Sequence, residues 1–166
     1  MPQLKPFHLA IPVHNVEIAE KFYTEHFNCQ VGRRADTWVD LNFFGHQLVL
    51  HFDAAAHAQV SAPELSNQIE NAVDGHNVPV PHHGVVLGME EWQELADNLV
   101  AKNTKFVIEP YLRFKGKKGE QATMFLYDPS GNALEFKAFA DESMLFESFD
   151  DQCCSKNVAA ADFSLN

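Results

Sequence analysis

Apolar and branched residues dominate Phe7-His8-Leu9-Ala10-Ile11-Pro12-Val13, which predicts a strand with His8, Ala10 and Pro12 on one face. Pro12 has no N–H to give to a ladder, so this strand belongs at a sheet edge or ends there. The spacing then changes to that of a helix. Val16, Ala19, Phe22, Tyr23 and Phe27 recur on one side, and Asn15 stands where an N-cap belongs. Thr37 to Leu41 and His46 to Phe52 alternate again, predicting two strands across a turn near Phe44-Gly45.

Between Asp53 and Pro81 the pattern breaks. Alanines, scattered polar residues, Asp74-Gly75 and the Pro79/Pro81 pair predict a long connection with a short helix around Leu65–Ala72. The opening order then returns. His83 to Leu87 reads as a strand, and Met89 to Ala101 as a helix with Trp92, Leu95, Ala96 and Leu99 on one face. Phe106–Ile108, Thr123–Tyr127 and Ala133–Ala138 read as strands. Advancing the first half by 75 places His8 on His83, and a shift of 86 places Gly45-His46-Gln47-Leu48 on Gly131-Asn132-Ala133-Leu134. The expected fold is α+β: two paired βαβββ modules forming a cupped mixed sheet. Module one covers about 5–56, a linker about 57–80 and module two about 81–140, together one domain over 1–140. Residues 141–166 are acidic and rich in Ser and Ala, with an apolar island at Met144-Leu145-Phe146, a pattern that fits a docking helix or a frayed tail.

Composition narrows the options. The chain has 166 residues, 46% of them hydrophobic, which fills one core and not two. Its formal charge of −11 repels phosphate backbones and anionic lipid, so neither nucleic acid nor a membrane surface is an expected partner. No apolar run approaches the roughly 20 residues that span a bilayer. Three cysteines, two of them adjacent, form no disulfide framework, and the expected location is the cytoplasm.

The chemistry lies in a few of the nine histidines. His8 opens the first unit and His83 the second, while Glu135 sits inside the apolar strand Ala133-Leu134-Glu135-Phe136-Lys137. A carboxylate there is costly to bury unless paired or bound to metal. Taken singly, each has an ordinary reading, as a strand histidine or a solvent-facing glutamate. Taken together, two imidazoles at matching repeat positions and one carboxylate suit a divalent metal such as Fe(II), Mn(II), Zn(II), Ni(II) or Co(II).

These segments resemble the vicinal-oxygen-chelate superfamily, which includes glyoxalase I, the fosfomycin- and bleomycin-resistance proteins and the extradiol ring-cleaving dioxygenases. The resemblance rests on Phe7 to Val13 with Ala19 and Phe22-Tyr23, on His83 to Leu87, and above all on Tyr127-Asp128-Pro129-Ser130-Gly131-Asn132-Ala133-Leu134-Glu135-Phe136. It covers about residues 5–140 and implies paired modules around one metal, often in a homodimer. Glyoxalase I has a fourth ligand in the first module's closing strand, where the glycine alignment puts Val49 in this chain. That favours a three-ligand set of His8, His83 and Glu135, with Fe(II) preferred and Mn, Zn or Ni as alternatives.

His51, two residues beyond Val49, is then the candidate acid/base, or a fourth ligand if the alignment slips by two. The segment Glu109 to Glu120 is basic and glycine-containing, and reads either as a solvated hairpin loop or as a lid in which Arg113 receives an anion. Tyr111 and Tyr127 are weaker candidates for contact with substrate. The leading expectation is an Fe(II) extradiol-type dioxygenase acting on a small molecule with vicinal oxygens, anionic if Arg113 serves it. Its rivals are a glyoxalase-type lyase or isomerase with Zn or Ni, and a non-catalytic resistance-type binding protein.

Overall fold

A computed structural model describes residues 4–56, 69–73 and 75–147. The first unit runs β1 (His8–Val13), α1 (Val16–Phe27), β2 (Gln30–Ala35), β3 (Trp38–Phe43) and β4 (His46–Phe52). A hairpin follows, β5 (Ile69–Val73) and β6 (His76–Val80). The second unit is β7 (His82–Leu87), α2 (Met89–Ala101), β8 (Phe106–Arg113), β9 (Gln121–Tyr127) and β10 (Ala133–Phe139). Each unit is thus strand, helix and three strands, and each builds a four-stranded mixed sheet, in the orders β1-β4-β3-β2 and β7-β10-β9-β8. The sheets do not join into a closed barrel.

Local chemistry explains the boundaries. Asn15 Oδ1 accepts the Ile18 N–H at 3.0 Å, satisfying a donor that the first turn of α1 leaves open. Asn28 ends that helix at φ 54°, a left-handed conformation that asparagine tolerates. At the start of α2 the Glu91 carboxylate reaches back to the Gly88 N–H at 3.2 Å. Pro12 lies in β1, an edge strand, as its missing donor requires.

Both sheets turn one face to a single apolar core. Val16, Ala19, Tyr23 and Phe27 of α1 and Trp92, Ala96 and Leu99 of α2 fill it together with Leu48, Leu50, Leu134 and Phe136. The Phe27 and Phe136 rings lie 5.0 Å apart, so the units meet side chain to side chain. Trp92 Nε1 donates to the Phe136 carbonyl at 2.9 Å, removing the penalty of burying the indole N–H.

A polar tie joins the units at one end. Asp128 is buried and accepts from the Ser130 N–H at 2.8 Å, the Asn132 N–H at 2.9 Å and the Tyr23 hydroxyl at 3.2 Å. Asn132 Nδ2 donates to the Pro12 carbonyl at 2.9 Å, and the His14 N–H to Ser130 Oγ at 3.1 Å. Burial pushes the Tyr23 phenol well above its usual range, and the neighbouring Asp128 carboxylate adds to this, so Tyr23 serves as a donor.

Three expectations need correction. Where a helix was expected around Leu65–Ala72, residues 69–72 belong to a hairpin strand; Asp74-Gly75 is a turn signal, and β5 pairs antiparallel with β6. Residues 65–68 lie outside the described set. Strand β2 escaped notice because Gln30-Val31-Gly32-Arg33-Arg34-Ala35 is exposed throughout and carries no apolar alternation. Finally, β8 runs on to Arg113, so half of the supposed lid is sheet, with bulges where its register shifts. In the tail, residues 142–146 form a short 3-10 turn that buries Met144; the remainder of the tail beyond 147 lies outside the described residues.

Candidate metal centre

Strand register decides which side chains meet. In the second sheet β10 pairs parallel with β7, matching Ala133 to His82, Leu134 to His83 and Glu135 to Gly84. Side chains alternate faces, so His82 shares a face with Glu135, and His83 turns to the other side. The contacts agree. His82 Nε2 lies 3.2 Å from Glu135 Oε2, whereas the His83 ring sits 6.2 Å from that of Phe43, on the core side.

The His82–Glu135 pair is held from several directions. His82 Nδ1 lies 2.7 Å from the Pro79 carbonyl, which requires a proton on Nδ1 and leaves Nε2 to face the carboxylate. Thr123 Oγ1 donates to Glu135 Oε1 at 2.8 Å, and Lys137 Nζ stands 3.2 Å from the same oxygen. The hydrogen bond to Glu135 holds the His82 pKa above its ordinary value. Burial pushes the Glu135 carboxyl up, but His82, Lys137 and Thr123 together outweigh it and leave its pKa lowered. His83 behaves oppositely: burial, with His82 adding to it, pushes the pKa of this half-buried residue down to about 4, which keeps it neutral.

His8 lies in the first sheet. It pairs with Gln47 as His82 pairs with Ala133, and its Nδ1 is 2.8 Å from Gln47 Oε1. Parallel pairing then matches Ala10 with Val49 and Pro12 with His51, so His8, Val49 and His51 share one face. The two registers superimpose His8 on His82, Ala10 on Gly84, Val49 on Glu135 and His51 on Lys137. The repeat of the first strand is therefore 74 residues and not 75. The signal was present in the sequence: 74 sets Val13 on Leu87, both apolar strand ends, whereas 75 sets Val13 on Gly88, which is already the N-cap of α2.

His8 is exposed on the open face of its sheet and does not join His82 and Glu135. Among the described residues, no three His, Cys, Asp or Glu side chains stand close enough to hold a metal ion. His51 is also exposed on the His8 face. Tyr127 lies opposite Ala133, Tyr111 opposite Thr123 and Arg113 opposite Gln121, which puts all three on the Glu135 face of the second sheet. Hairpin β5–β6 approaches that face, with the His76 ring 4.8 Å from Tyr111. A cleft of about 410 Å³ beside β1 and β7 has Phe7, Leu9, His82, His83, Glu135 and Lys137 in its lining. His82, Thr123 and Lys137, which contact Glu135, are candidates that sequence reasoning did not single out.

The donor set fits a divalent cation in part. One imidazole nitrogen and one carboxylate converge, each oriented by a second partner, as metal-binding side chains usually are. The third donor has to come from elsewhere.

A glyoxalase/bleomycin resistance protein/dioxygenase structure from Alicyclobacillus acidocaldarius is similar over 88% of this chain and 100% of its own, with 30% identity and a TM-score of 0.65. The fosfomycin resistance protein FosX from Listeria monocytogenes shares the fold over 87% of this chain and 99% of its own, at 16% identity and a TM-score of 0.58. A virulence protein from Salmonella typhimurium does so over 84% and 99%, at 18% identity and a TM-score of 0.54. No curated protein is significantly similar in sequence. Residues 5–136 match the family description, and the chain belongs to the Glyoxalase/Bleomycin resistance protein/Dioxygenase superfamily.

Proposed function

We propose that this protein is a metal-dependent enzyme for small substrates with two neighbouring oxygens, its metal held by His82 and Glu135 of one copy and His8 of a second. The observation that carries this reading is the orientation of the two histidines. Each has its Nδ1 engaged by an oxygen, Pro79 O for His82 and Gln47 Oε1 for His8, which leaves Nε2 of each as the nitrogen for a metal, that of His82 already beside Glu135 Oε2. They occupy equivalent register positions on open faces of two sheets whose other faces share one core. Among the described residues of one chain these faces do not gather three donors; two copies facing each other would supply the set twice, across a twofold.

A two-histidine, one-carboxylate set leaves coordination positions open, and the bound ion would act as a Lewis acid toward a chelating diol. The chain's own residues do the rest. Thr123 fixes the Glu135 carboxylate, Pro79 fixes the His82 ring, and hairpin β5–β6 shields the cup from water near Tyr111. His51, on the face that carries His8, is the proton carrier for a substrate hydroxyl. Val49 at the Glu135-equivalent position argues for the open, dioxygenase-type set with Fe(II) over the four-ligand glyoxalase type. Mn(II) is the alternative ion, since a FosX mutant is complexed with Mn(II) and a dihydroxypropylphosphonic acid.

Elemental analysis of protein purified without added metal, followed by anaerobic Fe(II) loading and catechol addition, tests the reading. Bound metal and a substrate–metal absorption band are expected. Failure of the protein to retain Fe(II), Mn(II) or Zn(II) would overturn it.

A further inference from the structure

Lys137 has no part in holding a metal, yet it lies in the cup beside the metal carboxylate. Its Nζ is 3.2 Å from Glu135 Oε1, and 29% of its side chain is exposed. It faces Thr123 across β9 and Val86 across β7. Among the described residues, Glu135 is the carboxylate with which it forms an ion pair. The protein around it carries a net charge of −11, so a lysine turned inward here supplies the positive field that the surface lacks.

Lys137 and a dication compete for one carboxylate. Glu135 holds a single negative charge, already shared between the His82 ring at Oε2 and the lysine and threonine at Oε1. A divalent ion on that carboxylate takes over its charge and repels the ammonium. Lys137 lines the same cleft as His82 and Glu135, so a displaced ammonium stays within reach of it. It stands one same-face step along β10 from Glu135, about 7 Å at strand spacing. Arg113 follows one row further on, opposite Gln121, which itself pairs with Phe139.

We propose that Lys137 is a specificity-determining cation, released from Glu135 when metal binds and then paired with a carboxylate on the substrate. The substrate class is therefore a small anion with an oxygen pair at one end for the metal and a negative group a few ångströms away, such as a dihydroxybenzoate or a hydroxy-acid of that size. This rests on the metal reading above, and sharpens it by naming the substrate's charge.

The test compares two chelators by calorimetric titration into the Mn(II)-loaded full-length protein, catechol and 3,4-dihydroxybenzoate, which differ by one carboxylate. Wild type is expected to favour the carboxylate by about tenfold, a modest value for one charge-assisted pair. In Lys137→Gln the preference falls to near unity with catechol affinity kept, and Lys137→Arg restores it. Without either chelator, Lys137→Gln binds Mn(II) more tightly than wild type, because the competing ammonium is gone; a lysine with only a structural role would not produce that gain. Equal affinity for the two chelators in wild type, or equal weakening of both in Lys137→Gln, overturns the inference. Mn(II) uptake without charge preference sinks this inference alone, whereas no uptake sinks the metal reading and this with it.

Discussion

The two sheets have the same register and opposite equipment. In the first, the row on the face away from the core is His8, Ala10, Val49 and His51, with Val49 itself buried; in the second, the matching row is His82, Gly84, Glu135 and Lys137. One half offers an imidazole, an aliphatic wall and a second histidine. The other offers an imidazole, a carboxylate and an ammonium, and has a hairpin beside it. The frame occurs twice, but in these rows the carboxylate and ammonium stand only in the second sheet; the first sheet's nearest carboxylate, Asp40 opposite Val49, is taken up by Arg33. On the proposed function, neither half is a site alone, and the difference between them is how they would complete each other.

The largest effect should come from separating the two histidines onto different chains. His8→Ala and His82→Ala are each expected to lose metal. A heterodimer of the two, isolated with two affinity tags, is expected to regain one metal, because one of its sites keeps both imidazoles. Metal analysis of that heterodimer reads the outcome directly; recovery of nothing would mean that each cup is built within one chain.

Next comes the carboxylate asymmetry. Val49→Glu places in the first half the group that the second half has. Burying it uncompensated should lower the melting temperature without metal, and metal should restore it, with affinity raised about tenfold or more by a fourth ligand. Melting curves with and without Zn(II) check this, and an unchanged gap between them would argue that Val49 does not face the ion.

Gly84 and Ala10 form the third contrast. A Cβ on Gly84 would lie 1.6 Å from the Glu135 carbonyl oxygen, against backbone that cannot step aside. Gly84→Ala should therefore cost about 3 kcal/mol, at the upper end for overpacking, and weaken metal binding by displacing Glu135. Ala10, the exposed counterpart, already carries that methyl group, and Ala10→Gly should change stability by well under 1 kcal/mol. Denaturant unfolding of both variants decides it.

The smallest effect concerns His83, whose counterpart in the first sheet is Leu9. Its folded pKa of about 4 lies below the ordinary value of 6.5, so between those values the unfolded chain binds the extra proton. Stability is full above about pH 6.5 and is lost as pH falls toward 4, by about 2 kcal/mol once partial exposure is discounted. His83→Leu should flatten this acid limb in a pH series of unfolding midpoints.

Much of this was legible in advance, for reasons that differ by element. The helices declared themselves through Asn15 and through Trp92, Ala96 and Leu99, because caps and 3.6-residue spacing are local signals. Glu135 stood out because a carboxylate between Leu134 and Phe136 needs a partner. Which of His82 and His83 shares the Glu135 face could not be read in advance, because it depends on a register, and a one-residue slip turns a strand over. Lys137 was visible on the right face, but its worth depends on a 3.2 Å contact that only coordinates reveal. Strand β2 left no trace, since neither of its faces is buried.

The buried Asp128 carboxylate has a consequence for assembly. By fastening Tyr23 of one unit to the turn of the other, with Asn132 gripping Pro12 alongside, it holds the two units of the chain together at this end. In the two-copy arrangement proposed above, each protomer would arrive with its own halves already fastened, and encounter would require collision and orientation but no refolding.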